Sequence, residues 1–304
     1  VLGADSTVVN EGTLFTQTSV NGYGMAAGLG GRSDAGGNWF QNQTSGVVLT
    51  QGVDAHGMFL HAGADAKRNR ITNRGSVTTE GARASGLRVS THSTTATDLI
   101  ENFGSITTGG AEASGIRVET TQAPVDLQNR GTITVTGGAL AYGIHVRGAA
   151  SILNTGTINA GPSGVAVFFE DNGNTSANSL TLIGDEVAIS GALSFSATRT
   201  DEKLTFEAMG EDSAPFAFDN DITGLNILET ASRTHVSLGS ANGYTFTRVN
   251  TDSNSRLTVA GAIGGSGGLH KQGDGTLKLS GTNTYAGATR VDAGYLLIES
   301  DDAL

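Results

Sequence analysis

The sequence predicts an all-β protein, a right-handed parallel β-helix in which short coils of strand and turn stack on one another. Three observations support this fold. Glycine accounts for 45 of the 304 residues, about twice the usual share of roughly 7%. An asparagine motif recurs at intervals of 25 to 32 residues. Apolar residues alternate with polar ones, the period of two that indicates strands, and no stretch of ten residues has helical periodicity.

The motif reads Asn-x-Gly-Ser/Thr-Ile/Val, where x is any residue. A second glycine comes 10 to 15 residues after the asparagine. The asparagines are Asn10, Asn42, Asn73, Asn102, Asn129 and Asn154. A period of 20 to 50 residues is typical of solenoids, propellers and arrays. The signatures of leucine-rich and ankyrin repeats are absent, and propeller blades need longer repeats with aromatic marks. A parallel β-helix remains.

The stacking of coils explains why the same residue types return. Equivalent residues of parallel strands lie about 4.8 Å apart, so inward Ile, Val and Leu form apolar columns. A column of asparagines can pass side-chain amide hydrogen bonds from coil to coil. We therefore assign the six asparagines to a structural ladder, and we expect the glycines to supply positive φ at corners. Phe168 and Phe169 are consecutive, so they cannot both face inward.

We predict one continuous solenoid over residues 1–304. It has asparagine repeats at 1–168, less regular coils at 169–256 and a glycine-rich strand repeat at 257–304. The absence of cysteine excludes disulfides and thiol catalysis. Ser266 formally fits Gly-x-Ser-x-Gly, but no helix follows it, as a nucleophile elbow requires. The six histidines lack metal-ligand spacing, and Asp219, Asp221 and Gly224 form only half of a calcium loop. We expect neither enzymatic activity nor a cofactor or metal.

The last segment carries a specific resemblance. Residues 257–298, LTVAGAIGGSGGLHKQGDGTLKLSGTNTYAGATRVDAGYLLI, resemble the passenger-associated strand repeat of bacterial autotransporters. The resemblance implies type V secretion by a Gram-negative bacterium and a β-helical passenger at the cell surface. It also implies a C-terminal barrel in the outer membrane, which this chain lacks. The matching residues are Gly265, Gly267, Gly268, Leu269, Lys271, Gly273, Gly275, Leu277, Leu279, Ser280, Gly281, Asn283, Thr284, Tyr285, Gly287, Thr289, Val291, Ala293, Gly294 and Leu296.

Charge is unevenly distributed along the chain, whose net charge is −11. Residues 67–147 hold nine basic and six acidic residues, a net charge of +3, whereas residues 150–304 hold eight and eighteen, a net charge of −10. Alternation places one slot of the repeat, occupied by Arg88, Arg117 and His145, on the outer face. Arg74 and Arg130 share another slot, separated by Phe103. The predicted basic binding stripe comprises Arg74, Arg88, Arg117, Arg130, His145 and Arg147.

Most autotransporter passengers are adhesins, self-association factors or carriers of an enzymatic domain, so the resemblance predicts a cell-surface adhesin. The leading hypothesis is self-association between passengers on neighbouring bacteria, which gives aggregation and biofilm. One alternative is binding of a host glycosaminoglycan or an extracellular matrix protein through the basic stripe. Another alternative is a non-binding stalk that presents a domain outside this sequence.

Overall fold

The computed structural model describes residues 5–17, 20–27, 37–63, 67–138, 140–173, 176–196, 198–239, 243–301 and 303–304. Within these ranges the chain forms strands and turns but no helix. The named strands pair in parallel, each with its equivalent one coil away. The predicted all-β parallel β-helix is therefore confirmed.

The chain forms two compact units. The first comprises residues 1–152, 156–176 and 188–191, and the second comprises 153–155, 177–187 and 192–304. The single continuous solenoid over residues 1–304 stays a prediction.

Three rows of strands build the first unit, and each coil contributes one strand to each row. The first row is β1 (Thr7–Asn10), β4 (Trp39–Asn42), β7 (Arg70–Asn73), β10 (Leu99–Asn102), β13 (Val125–Asn129) and β16 (Ala150–Asn154). The second is β2 (Thr13–Thr16), β5 (Val47–Thr50), β8 (Ser76–Thr79), β11 (Ser105–Thr108), β14 (Thr132–Val135), β17 (Thr157–Asn159) and β20 (Ala188–Ser190). The third is β3 (Met25–Ala27), β6 (Met58–Ala62), β9 (Leu87–Thr91), β12 (Ser114–Thr120), β15 (Tyr142–Arg147) and β18 (Val165–Glu170).

The core of this unit consists of the apolar columns that the repeat predicts. Val77, Ile106 and Ile133 occupy equivalent positions of β8, β11 and β14 and are almost completely buried. Burying each such side chain contributes about 1.5–3 kcal/mol relative to leaving it exposed. Phe169 joins the core of the third row, whereas Phe168 stays half-exposed on the outer face.

Positive φ, expected of the corner glycines, is adopted by Gly148, Gly161 and Gly191 among others, but the second glycine of the repeat serves a different purpose. Gly86 does not adopt positive φ; a Cβ there would overlap Ile106 Cγ2 and approach Gly115 O to 2.7 Å. The glycine is needed because the corner backbone runs close to the apolar column and to the next coil. Positive φ falls also on Asp54, Arg83 and Glu112, at 54°, 55° and 57°.

The second unit repeats the arrangement with shorter coils. One row is β19 (Ser179–Ile183), β22 (Lys203–Glu207), β25 (Ile227–Thr230), β28 (Arg248–Thr251), β31 (Leu269–Gln272) and β33 (Thr289–Val291). Another is β21 (Ala192–Ser194), β24 (Ile222–Thr223), β27 (Gly243–Tyr244) and β30 (Ala262–Ile263). The third is β23 (Phe216–Phe218), β26 (His235–Leu238), β29 (Arg256–Val259), β32 (Thr276–Leu279) and β34 (Tyr295–Ile298).

Lys271, in the glycine-rich strand repeat, is an unusual core residue with 0% exposure. Its Nζ donates to the backbone carbonyls of Gln272, Gly273 and Ala293, at 2.7, 2.6 and 3.1 Å. Burial lowers the pKa of this ammonium from its usual value. The side chain therefore ties two successive turns together through groups that would otherwise lack this donor.

Candidate binding surface

The asparagine ladder sets the geometry of one turn of every coil in the first unit. Four side-chain hydrogen bonds, each 2.8–2.9 Å long from Nδ2 to Oδ1, link successive asparagines. They run through Asn10, Asn42, Asn73, Asn102 and Asn129, and Asn154 is buried at the end of β16. Because these amides are buried and engaged, the side chain that follows each asparagine is the one presented outside.

Arg74, Phe103 and Arg130 occupy that following position in three successive coils. The Arg74 guanidinium lies over the Phe103 ring at 4.9 Å from the centroid, and the Arg130 guanidinium lies at 5.5 Å from it. Both arginines are exposed, and Phe103 is 37% exposed. Such cation–π contacts are worth about 0.5–1 kcal/mol each at exposed sites. We call this stack the Arg74–Phe103–Arg130 ridge.

Ion pairing separates the ridge from the rest of the basic segment. Seven of the nine basic residues in 67–147 lie within 4.0 Å of a carboxylate; they are Lys67, Arg68, Arg70, Arg83, Arg88, Arg117 and Arg147. Arg74 and Arg130 have no such partner among the described residues. Arg130 instead donates from Nη2 to Gln128 Oε1 at 3.3 Å. The ridge is thus where this segment presents uncompensated positive charge.

The slot of Arg88 and Arg117 is a paired network on the outer face of the third row. Both residues align with Phe59 and His145 across adjacent coils. Glu119 binds Arg88 Nη2 at 2.7 Å and Arg117 Nη2 at 2.8 Å. Burial alone would raise the pKa of Glu119, but the two arginines lower it overall. One carboxylate therefore offsets much of the charge that the sequence placed here.

His145 departs from the outward basic position that alternation suggests. It is 6% exposed, and its Nε2 lies 2.9 Å from Glu170 Oε2. Burial, followed by the charge of Arg117, lowers its pKa below the usual value, which favours the neutral imidazole. Arg147 is exposed but shares the same Glu170, at 3.6 Å. The six stripe residues therefore do not form one continuous line of free cations.

A recess of about 340 Å³ lies beside this network. Its lining includes Ser90, His92, Glu119, Arg147 and Asn172. Asn172 Nδ2 donates to the Thr120 carbonyl at 2.7 Å. The recess is polar, and the charged groups that border it are already engaged, because Glu119 pairs with Arg88 and Arg117, and Arg147 pairs with Glu170.

Some aromatic and buried groups here are not evident from sequence reasoning. In the repeat pattern, Phe103 is only the residue that separates Arg74 from Arg130. Because all three occupy the same position in successive coils, the pattern could have shown that Phe103 contacts both arginines. His56 stacks against Tyr23, with ring centroids 5.6 Å apart, and receives a hydrogen bond from Ser85 N. Burial, followed by Arg88, lowers the pKa of His56 to about 3.

The serine and the aspartates considered for catalysis or metal binding lie on exposed segments of the second unit. Ser266 is exposed in a bend between β30 and β31. Asp219 and Asp221 are exposed in the short segment between β23 and β24. Across the described ranges no group of three or more His, Cys, Asp or Glu residues is arranged to hold a metal ion. The same ranges contain no helix that is long and apolar enough to cross a membrane.

Comparison with known proteins places the glycine-rich strand repeat in a family. Residues 269–298, which include Lys271, match the family model described as the passenger-associated-transport-repeat. A curated relative is the adhesin BmaC autotransporter of Brucella suis biovar 1 (strain 1330), 45% identical over 64 residues. That alignment covers 21% of this chain and 2% of the relative. No solved structure matches the chain.

Proposed function

We propose that this chain is an adhesin that acts through contacts between copies of itself. The chain is part of an autotransporter passenger domain, and such domains are surface-exposed or secreted. Copies on neighbouring Gram-negative bacteria would bind one another and promote aggregation and biofilm. An outer-membrane barrel elsewhere in the full-length protein would anchor it. The similarity to an adhesin favours a role without catalysis.

Unbalanced charge is the observation that supports self-association. Arg74 and Arg130 present positive charge without a carboxylate partner among the described residues, while residues 150–304 carry a net charge of −10. Opposite charges on two surfaces accelerate encounter and select the mutual orientation of the partners. One such contact between exposed charges is weak, but many copies on two cells act together and raise the overall avidity.

Sedimentation velocity of the purified chain over a wide concentration range tests this function. At about 0.1 M salt we expect a concentration-dependent oligomer. At about 1 M salt, where the screening length falls from about 10 Å to about 3 Å, the oligomer should dissociate. A chain that remains monomeric at every concentration would contradict self-association.

The ridge also supports a second candidate function, binding of a host glycosaminoglycan or an acidic matrix protein. Guanidinium groups bind carboxylate and sulfate through paired hydrogen bonds, and Arg74 and Arg130 are not engaged with carboxylates within the described part of the chain. Retention of a monomeric chain on immobilised heparin, with loss of retention on replacing both arginines, would favour this candidate. Absence of both kinds of binding would favour the non-binding stalk.

A further inference from the structure

We propose that the Arg74–Phe103–Arg130 ridge is one half of a head-to-tail contact, and that carboxylates of the second unit of another copy, which lie outside salt bridges in the described part of the chain, form the other half. This inference rests on the proposed self-association and specifies its surfaces. The occupant of the ridge is a second copy of this chain, and the groups that bind are carboxylates.

The ridge is already ordered for binding before a partner arrives. The Phe103 ring lies beside each guanidinium, with its centroid 4.9 Å from the central carbon of Arg74 and 5.5 Å from that of Arg130, and neither guanidinium is paired with a carboxylate of the described residues. A carboxylate can therefore accept two parallel hydrogen bonds from each arginine while the stack remains intact. Ordering a long side chain in advance reduces the entropy that association would otherwise cost.

The spacing of the ridge follows from the fold. Arg74 and Arg130 belong to coils on either side of the coil that carries Phe103, so they lie two coil rises apart. At about 4.8 Å for each rise, this separation is roughly 10 Å. The surface that matches it best is another stack of parallel coils, whose turns repeat at the same interval.

The second unit presents acidic side chains on the equivalent turns, those that follow strands of the β19–β22–β25–β28–β31 row. These residues are Asp185, Glu186, Glu211, Asp252 and Asp274. Among the described residues, none of the five lies in a salt bridge, and four are exposed. Some other carboxylates of this unit are already paired, as Glu229 is with Lys203 at 3.3 Å and Asp212 is with Arg256 at 2.6 Å.

Asp252 directly follows β28, and the exposed Glu207 occupies the aligned position two coils away at the end of β22, which is the same interval as between Arg74 and Arg130. The turn between them, after β25, carries the exposed Arg233 instead of an acid. This arginine lies among the acidic turns and outside the ridge. It therefore offers a matched control, since reversing its charge should not weaken a contact in which the second unit supplies the negative charge.

When the ridge of one copy binds the acidic surface of another, each of the two copies keeps one binding surface free. Such heterologous contacts extend into open chains when the rotation between copies does not close a ring. A copy whose ridge is reversed keeps its acidic turns. It should therefore bind the ridge of a normal copy and then end the chain.

The test uses the whole chain with Arg74→Glu and Arg130→Glu together, beside Arg233→Glu as control, with circular dichroism to verify the fold of both. In sedimentation velocity at about 0.1 M salt, we expect the double variant to be monomeric and at least tenfold weaker in self-association than the natural chain. Arg233→Glu should associate at least as strongly as the natural chain. Added in excess to the labelled natural chain, the double variant should shorten its oligomers.

Three outcomes would overturn the inference, and they differ in meaning. If the natural chain associates and the double variant associates equally, self-association stands but the ridge is not its surface. If the double variant is monomeric but does not bind the natural chain, the contact is symmetric and not head-to-tail. A natural chain that is monomeric throughout removes the proposed self-association itself, and retention on heparin would then assign the ridge to an anionic glycan.

Discussion

Replacing Asn102 with alanine tests whether the asparagine ladder stabilises the coils. Asn102 is fully buried, accepts a 2.8 Å hydrogen bond from Asn73 Nδ2 and donates one of 2.8 Å to Asn129 Oδ1. The substitution removes both bonds. Asn73 Nδ2 keeps only a longer bond to the Ser105 carbonyl, at 3.3 Å. Leaving a buried polar group without its partner costs about 1–3 kcal/mol, so two lost bonds predict a destabilisation of roughly 2–6 kcal/mol.

Gln128→Ala is the matched control because Gln128 also bears an amide but lies half-buried on the outer face of β13. Surface substitutions of this kind usually change the free energy of unfolding by no more than about 0.5 kcal/mol. Urea unfolding followed by circular dichroism would compare the two variants with the natural chain. If both variants shift the midpoint equally, the ladder contributes no net stability and the reasoning is refuted.

Stacked repeats also allow the location of the effect to be checked. Each coil contacts mainly its neighbours, so a weakened ladder should loosen nearby coils first. Amide hydrogen exchange in Asn102→Ala should therefore accelerate in β10 and β13 while β25 and β28 stay protected. Uniform acceleration along the chain would contradict a local ladder contribution.

Three further predictions follow from buried side chains. Phe169→Ala should cost about 3–5 kcal/mol in urea unfolding because the ring is fully buried, whereas Phe168→Ala, at the half-exposed neighbour, should cost about 1 kcal/mol or less; equal costs would contradict the inward orientation of Phe169. The pKa of His56 is lowered to about 3, so its neutral form stabilises the fold above pH 6.5, and this stability is lost as pH falls toward 3. His56→Gln should reduce that loss, measured as unfolding midpoint against pH, and the difference should grow by at most about 1.4 kcal/mol per pH unit; parallel profiles would contradict it. Lys271→Met should destabilise the last coils by roughly 2–4 kcal/mol because three partly buried carbonyls lose one donor. Lys278→Met, which removes an ammonium paired with the half-exposed Glu299, should cost about 1 kcal/mol or less. Faster hydrogen exchange in β31 and β33 for Lys271→Met alone would distinguish the two variants.

Local pattern was enough to predict the coils and one of their turns. A period of two identifies strands, and the recurring asparagine marks the same turn in each coil, so Asn73, Asn102 and Asn129 could be aligned from spacing alone. The outward position of Arg88 and Arg117 followed from the same alternation. In each case a repeat of residue types carried the information.

The partners of the charged side chains could not be predicted in this way. Arg88 pairs with Glu119, 31 residues away and in a different slot, and Arg68 pairs with Asp126, 58 residues away and two coils distant. Which acid a long side chain reaches depends on the loops between coils, whose lengths vary along the chain. From composition alone these arginines were expected to present free positive charge. In the folded chain, nearby carboxylates neutralise most of that charge.

The sequence by itself determined that the chain is a stack of parallel coils, because each coil repeats the same short-range pattern of apolar, asparagine and glycine positions. It also determined the match of residues 269–298, around Lys271, to the passenger-associated-transport-repeat. Only the tertiary structure decided why Gly86 must be glycine and why the positive charge of Arg74 and Arg130 is not neutralised by a carboxylate of the described residues. Those answers depend on distances between neighbouring coils, where a Cβ would overlap Ile106 and where the Phe103 ring, not a carboxylate of the described residues, lies beside each guanidinium.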